Sequence, residues 1–319
     1  MDVEKIGKAI KELRQRAGYT QSELAECLDV TDKAVSRWER CLGIPDVSLL
    51  AKLCNLLNTD IDNLLEGNIS YLEHSWRGVL ILDETEAEIL PDTILQGKRS
   101  IYIPMSYFFL AGIKQITILG KGKYLEAAQR VLENGEKFGA VFTYSDNEKR
   151  VFNDESSLMI VHSGAFVYGP NLTRYFQRAI TNTRGICYLA IPQVVGKERI
   201  YFDSTRRVKS ECEMPAKYYE VPICFCKERN IDLYHMPREE SSLHTAEPLG
   251  RGMLYRQIET WNDVTEVSNF IRFIEDSSGN NLYCLEEIAW RRGLISKEQL
   301  RNLADEKTTY GQYLLSVTE

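Results

Sequence analysis

The stretch YTQSELAECLDVTDKAVSRWE, residues 19–39, contains two short helical patterns separated by a turn. Thr20 and Glu23 have the spacing of a capping box, in which each side chain bonds to the backbone N–H of the other residue. Thr31 stands in the corresponding position before the second pattern. The stretch therefore predicts two helices joined by a tight turn at Asp29 and Val30.

The second of these helices has two chemically different faces. At about 100° per residue, Val35 and Trp38 point to one side, which predicts a buried face. The opposite side carries Lys33, Ser36, Arg37 and Arg40. Three cations on the outer face of a short helix indicate either an ordinary solvated surface or a surface for an anionic partner.

Apolar residues at helical spacing on both sides of this pair predict a small all-α bundle over residues 1–66. The first helix has a stripe of four such residues, and two later runs, 49–57 and 61–65, supply the rest of the core. The stripe consists of Val3, Ile6, Ile10 and Leu13.

Residues 19–39 resemble the helix-turn-helix of phage repressors (the XRE, Cro and C1 type), and the likeness extends to residues 43–46 and 57–58. In that family the first motif helix contacts a DNA phosphate and the second reads base edges in the major groove. The resemblance implies binding of double-stranded DNA. The positions that it marks for contact are Gln21 at the phosphate, Asp32, Lys33 and Arg37 at the bases, and Ser36 and Arg40 on the same face.

The charge balance sets a limit on this DNA binding. The chain has a net charge of −7, and residues 1–66 contain nine Lys and Arg against twelve Asp and Glu. An acidic DNA-binding domain gains little from general attraction to phosphate. We therefore expect modest affinity per monomer and a homo-oligomer, either a dimer or a tetramer, that joins two such domains.

Length and composition are those of an ordinary globular protein with two domains. The chain has 319 residues, of which 44% are hydrophobic and 27% charged. Its most apolar stretch, residues 101–113, is too short to span a bilayer and contains Pro104, so we expect a buried helix. The N-terminus has no signal-peptide core. These features predict a cytoplasmic protein without membrane contact.

The cysteines and histidines do not form a recognisable metal site. Eight Cys and four His are scattered without ligand spacing. Cys224 and Cys226 alternate in an apolar run, so both should face one side of a strand. We expect reduced thiols, no metal and no cofactor.

After a linker at residues 67–75 the pattern changes to alternating strands and helices. Strands are predicted at residues 78–82 and 115–119, and helices at 106–113 and 124–138. Such alternation predicts an α/β Rossmann-like domain with a largely parallel sheet over residues 76–319. From residue 263 onward the chain is helical and amphipathic. The fold class is thus multidomain, with an all-α bundle followed by an α/β domain and a helical C-terminal region.

Several patches of the second domain resemble the glucose-1-phosphate thymidylyltransferases, which are sugar nucleotidyltransferases. The clearest are EVSNF at residues 266–270, EEIAWRRG at 286–293 and YGQY at 310–313. LAGI at 110–113 also matches. The resemblance implies a nucleotidyltransferase-type fold. It also implies where the catalytic residues of such an enzyme would lie.

At those catalytic positions the sequence departs from the family. The glycine-rich triphosphate loop falls on residues 83–89, which contain Asp83, Glu84, Glu86 and Glu88 and no glycine. A segment with a catalytic Lys is missing between Thr93 and Gly97. The two metal-binding Asp positions fall at residues 162–164 and at Gln257, and a sugar-phosphate Lys becomes Met214. Since acidic groups repel phosphates, we expect a catalytically inactive domain, a pseudoenzyme. A solvated loop is the expected structure of the acidic residues, and a new metal or acid–base site is the alternative.

An accessory nucleotide site of the family keeps more of its residues. Tyr168-Gly169, Arg251 within a Gly-Arg-Gly turn, and Glu286-Glu287 match the family, whereas Pro170-Asn171 replace its His-Asp pair. Either these residues bind a nucleotide or dTDP-sugar effector, or they only shape turns and a subunit interface.

The sequence therefore predicts a DNA-binding transcription regulator with an inactive transferase-like domain that dimerises and senses a nucleotide or nucleotide-sugar. One alternative is an active or residual transferase with an autoregulatory DNA-binding arm. Another is an interaction partner of an active thymidylyltransferase.

Overall fold

The computed structural model divides the chain into two compact units, Met1–Ser75 with Thr173–Thr181, and Trp76–Leu172 with Asn182–Glu319. The residues that it describes are 2–16, 19–57, 59, 61–67, 76–152, 156–192, 200–209, 218–229, 231–235, 241 and 243–318. Most of the predicted linker, 68–75, and the predicted replacement at Met214 lie outside these residues. We describe each unit by itself.

The N-terminal part of the first unit is a bundle of short helices. They are α1 (Val3–Arg16), α2 (Gln21–Leu28), α3 (Asp32–Glu39), α4 (Val47–Leu57) and α5 (Ile61–Glu66). A shared apolar core includes Ile6, Ile10, Leu24, Val35, Leu53 and Leu64. The predicted all-α bundle is confirmed.

The predicted caps begin helices α2 and α3. The Thr20 side chain accepts from the backbone N–H of Glu23, and the Glu23 carboxylate accepts from the N–H of Thr20. Thr31 accepts from the N–H of Ala34. Asp29 ends α2 in the left-handed conformation at φ 57°, so the chain reverses within a few residues. These local bonds fix the angle at which α3 leaves α2.

Within its described residues the second unit contains a mixed seven-stranded sheet in the order β12-β8-β11-β6-β1-β4-β5. The strands are β1 (Trp76–Ile81), β4 (Gln115–Leu119), β5 (Val141–Ser145), β6 (Ser157–His162), β8 (Ile186–Ile191), β11 (Tyr219–Cys226) and β12 (Thr245–Pro248). Strand β11 is antiparallel to both neighbours, whereas the other pairings are parallel. The α/β prediction is confirmed. Cys224 and Cys226 belong to the same core cluster.

Short two-stranded ribbons and further helices complete this unit. The ribbons are formed by β2 (Ile94–Leu95) with β3 (Lys98–Arg99), β7 (Ala165–Tyr168) with β13 (Leu254–Gln257), and β9 (Tyr201–Phe202) with β10 (Val208–Lys209). The helices are α6 (Tyr102–Ala111), α7 (Gly122–Leu132), α9 (Trp261–Ser278), α10 (Leu285–Arg291), α11 (Lys297–Leu303) and α12 (Thr309–Ser316). Helix α8 (Leu172–Asn182) contributes residues 173–181 to the first unit.

Helices α6 and α7 correspond to two helices that the sequence predicts. Helix α6 is buried on nearly all sides and tolerates Pro104 because the proline lies in its first turn. The helix predicted over residues 124–138 was too long, since α7 ends at Leu132 and a separate 3-10 turn spans Glu136–Phe138. Gly135, at φ 88°, takes a left-handed conformation that breaks the helix. Among the residues described, no helix is both long and apolar enough to cross a membrane.

A close approach between α1 and α3 provides a stability test. A Cβ on Gly7 would lie 2.8 Å from Cys41 Sγ and would clash with the carbonyl oxygen of Trp38. Gly7→Ala should lower the free energy of unfolding of the bundle by about 1–3 kcal/mol, because overpacking outweighs the better helix propensity of alanine. The measurement is thermal unfolding followed by circular dichroism.

Gly43→Ala is the matched control, since a Cβ there would meet nothing within 4 Å and Gly43 is not among the residues with positive φ. We expect it to leave stability nearly unchanged. Alanine in an uncrowded helix is more stable than glycine. A stabilising effect of Gly7→Ala would therefore contradict the close packing of α1 on α3.

Candidate functional sites

Helix α3 presents the predicted cationic face to solvent. Val35 and Trp38 are buried, while Lys33, Arg37 and Arg40 are exposed. The Arg37 guanidinium has a long contact of 3.5 Å with the Leu42 carbonyl oxygen. Asp32 and Ser36 complete the face as an exposed and a half-buried residue, respectively. The structure therefore brings together the residues of α3 that the sequence marked for DNA contact.

A buried ion pair connects this helix to the rest of the bundle. The Arg14 guanidinium forms two bonds with the Glu39 carboxylate, one of them from Nη2 to Oε2 at 3.0 Å, and Nη1 donates to the Tyr19 carbonyl at 2.6 Å. Gln21 Nε2 donates to Glu39 Oε2 at 2.7 Å. This network holds Gln21 at the start of α2, beside the end of α3.

Arg14 and Glu39 were not among the predicted site residues. Arg14 and Glu39 belong to different helices, and the sequence pattern of neither helix marks its charged residue as special. The two residues are 25 positions apart in sequence. The one available signal was that Glu39 follows Trp38 on the inner side of α3, where an unpaired carboxylate would be costly.

The second site lies where β1 and β6 end, which is the usual ligand-binding edge of a parallel sheet. The Asp83 carboxylate accepts from His162 Nδ1 at 2.7 Å, from the Gly164 N–H at 3.0 Å and from Ser163 Oγ at 3.3 Å. The Asp83 N–H in turn donates to Ser163 Oγ at 2.9 Å. The predicted solvated loop is therefore anchored at its first residue.

Gln257 lies beside this group. A Cβ on Gly164 would be 2.6 Å from Gln257 Nε2, and Tyr255 donates from its hydroxyl to Gln257 Oε1 at 2.9 Å. Residues 162–164 and Gln257, which the family resemblance marked as metal-binding positions, thus come together. They bring no further carboxylate to Asp83.

The rest of the acidic loop packs against α7. The hydroxyl of Tyr124 bonds to both the N–H and the carbonyl of Thr85 at 3.3 Å, and Glu88 pairs with Lys123 at 2.6 Å.

The cavity that Asp83, Thr85, Ser163 and Gly164 help to line measures about 30 Å³. That is room for about one water molecule, whereas small-molecule pockets usually measure about 300–1,000 Å³.

These residues do not fit a magnesium site. Mg²⁺ is held by oxygen ligands in a near-octahedral shell, commonly one or two carboxylates with substrate phosphates. Here the single carboxylate is already bonded by three donors. Within the described ranges, no group of three or more His, Cys, Asp or Glu side chains could hold a metal ion.

The third site lies at one end of the ribbon of β7 and β13, where β7 ends and the turn before β13 begins. Leu254 is paired with Tyr168 in the antiparallel register, and Arg251 is exposed in the preceding turn. Gly169 has no room for a side chain, because a Cβ would lie 2.9 Å from Met253 Cα and 3.1 Å from the Gly252 carbonyl. The structure therefore places Tyr168 and Gly169 beside the turn that carries Arg251.

Glu286 and Glu287, the other two predicted ligand residues, are engaged inside the helical region. Glu286 accepts from the hydroxyls of Tyr102, at 3.0 Å, and Tyr310. Glu287 accepts from Tyr313 at 2.7 Å and pairs with Arg291 at 2.6 Å. Both side chains are buried. Burial raises the pKa of Glu286, although the hydrogen bonds from the two tyrosines act in the opposite direction.

Comparison with known proteins finds different relatives for different parts of the chain. Residues 10–64 match a family model described as helix-turn-helix. The HTH-type transcriptional regulator ImmR of Bacillus subtilis is 48% identical over 60 residues, which are 19% of this chain and 47% of that protein. The chain therefore carries an N-terminal helix-turn-helix domain.

The remainder is similar to enzymes. A glucose-1-phosphate thymidylyltransferase of Neisseria meningitidis is 28% identical over 267 residues, covering 72% of this chain and 90% of that protein. A crystal structure from Bacillus anthracis, described as an enzyme of the same name, has a TM-score of 0.48 at 12% identity and covers 62% of this chain and 96% of that one. The helix-turn-helix domain is followed by a region similar in sequence to thymidylyltransferases.

Proposed function

We propose that the chain is a sequence-specific transcription regulator in the cytoplasm, whose transferase-like domain no longer transfers nucleotides. The observation that carries this proposal is the solvent-facing group of Lys33 and Arg37 on the capped helix α3 and Arg40 at its C-terminal end, in a domain similar to a known regulator. An exposed Arg can form two hydrogen bonds with guanine in the major groove, and Asp32 can accept from cytosine. Gln21 contributes by positioning the domain on a phosphate.

The DNA contacts can be tested with Arg37→Ala. This change should weaken binding to the cognate site by about 1–3 kcal/mol and reduce discrimination against random DNA. Gln21→Ala should weaken binding to all sequences about equally, because phosphate contacts carry no sequence information. The measurement is fluorescence anisotropy at fixed salt, with DNA selected from a random library.

Lys52→Ala is the control. Lys52 is also a partly exposed cation of the bundle, but it lies on α4 and its ammonium is paired with Asp29 at 2.9 Å. We expect it to bind the selected DNA like the wild type. Equal discrimination by the wild type and Arg37→Ala would contradict the proposed role of α3.

The inactivity of the second domain is supported by the charges at the β1 and β6 edge. Asp83 occupies the donors of residues 162–164, Gln257 stands where the resemblance places a carboxylate, and Glu88 holds Lys123. A triphosphate entering there would meet a fixed carboxylate and few cations. At a separation of about 4 Å, each like-charge pair costs about 1–4 kcal/mol in aqueous or near-surface surroundings.

We therefore expect no release of pyrophosphate when the protein is mixed with Mg²⁺, glucose 1-phosphate and any nucleoside triphosphate. A colorimetric pyrophosphate assay, with an active thymidylyltransferase as positive control, is the measurement. Turnover that disappears on changing Glu84 or Glu88 would show that the acidic loop is a rebuilt active site.

We propose that a nucleotide or dTDP-sugar effector binds at Tyr168, Gly169 and Arg251. The planar guanidinium of Arg251 can hold a phosphate with two hydrogen bonds. Gly169 lets the turn that carries Arg251 pack closely beside Tyr168, because Met253 and Gly252 occupy the space that a side chain would need. Glu286 and Glu287, which the sequence assigned to the same site, are not among the proposed contacts, because their carboxylates already have internal partners. If the site lies near a dimer or tetramer interface, effector and DNA change each other's affinity by the same factor.

The effector site can be tested by isothermal titration of dTTP and dTDP-sugars. Arg251→Ala should lose most of the affinity that the wild type shows. Arg256→Ala is a matched control on β13, since its guanidinium is engaged by Asp263 at 2.8 Å and Glu266 at 2.9 Å. Arg256→Ala should bind like the wild type. Binding that survives Arg251→Ala unchanged would place the ligand elsewhere, and no binding by the wild type would leave the domain as a dimerisation scaffold.

A further inference from the structure

The Asp83 carboxylate is bound as a ligand anion would be. Its two oxygens receive a ring N–H, a hydroxyl and a backbone N–H from three consecutive residues, His162, Ser163 and Gly164. Such a convergence of donors on one anion is the arrangement of an oxyanion-binding site. In this protein the anion is supplied by the chain itself.

The backbone that carries these donors is held in place independently of the carboxylate. The Ser163 N–H donates to the Ile81 carbonyl at 2.8 Å, and Ile258 donates to the Gly164 carbonyl at 2.8 Å. Gly164 cannot carry a side chain, because a Cβ would lie 2.9 Å from the Ile258 carbonyl oxygen. The turn therefore keeps its shape when the Asp83 side chain is shortened.

Solvent can reach this site. The Asp83 and His162 side chains are 24% and 21% exposed. A small anion could therefore enter if the carboxylate were absent. While Asp83 is present, an outside anion must displace a group tethered at high effective concentration, and it meets like-charge repulsion.

We propose that residues 162–164 form an oxyanion site that the chain keeps filled with its own Asp83, and that this site binds a free oxyanion once the side chain is removed. Asp83 then acts as an internal competitor that excludes phosphate groups from the ends of β1 and β6. The inference goes beyond the regulator hypothesis, and its tests measure anion binding rather than DNA binding or catalysis.

The first test is chemical rescue of Asp83→Ala by formate, whose carboxylate matches the missing group. Sodium formate should raise the Tm of this variant by about 2–4 °C more than sodium chloride at equal ionic strength, as expected for a ligand that binds the folded state. The wild type should respond equally to the two salts. Thermal unfolding followed by circular dichroism is the measurement.

Glu84→Ala is the matched control, because it removes the neighbouring, exposed carboxylate. It should show no preference for formate. Equal responses of Asp83→Ala and Glu84→Ala to formate would overturn the proposal. If Asp83→Ala does not fold in chloride, Asp83→Ser provides the same comparison.

The second test uses inorganic phosphate, followed by phosphorus NMR titration. Asp83→Ala should bind phosphate at least ten times more tightly than the wild type and Glu84→Ala. A rise in the Tm of Asp83→Ala with formate, together with tighter phosphate binding by this variant, would show that the site accepts both planar and tetrahedral oxyanions. Phosphate binding that is the same in all three proteins would contradict the role of Asp83 as a competitor.

Discussion

The second unit depends on the backbone pairing of β1, which lies between two parallel neighbours and is buried over residues 79–81. Gly78 is required in it, because a Cβ would approach Phe108 of α6 to 2.8 Å and Ile116 of β4 to 2.9 Å. Packing on α6 thus fixes the strand from one side. Asp83, which follows the buried end of this strand, must therefore emerge beside residues 162–164. The pairing of β1 with β6 therefore determines where the Asp83 carboxylate lies.

Buried charges are stabilised in three separate places by partners far away in sequence. Arg14 pairs with Glu39 in the bundle, Lys98 of β3 pairs with Glu275 of α9 at 2.6 Å, and Glu286 is bonded by two tyrosines. A buried charge without such partners would cost several kcal/mol. Carboxylates that look like ligand-binding groups in the sequence are thus satisfied within the fold. The cations of α3 and Arg251 remain at the surface, where an anionic partner can reach them.

Features that depend on residues close together in sequence could be predicted from the sequence, whereas contacts between residues far apart in sequence could not. The caps at Thr20 and Thr31, the two faces of α3 and the strand at residues 115–119 depend on spacing within a few residues, and the structure has them as predicted. The antiparallel direction of β11 and the break after Leu132 were missed, because sheet order and loop packing arise from tertiary contacts. The same holds for the Asp83 site, whose partners are about 80 positions away. The DNA-contact and effector roles stay predictions.

The acidic balance of the first 66 residues has a consequence for regulation under the proposed function. Nine cations against twelve acids give weak general attraction to DNA, so one copy binds mainly through the face of α3. Two weak contacts joined in one assembly bind far more tightly than either alone, because the second contact forms at high effective concentration. Occupancy of DNA then depends on oligomerisation of the transferase-like domain. An effector that changes this oligomerisation controls the DNA-binding helices without touching them.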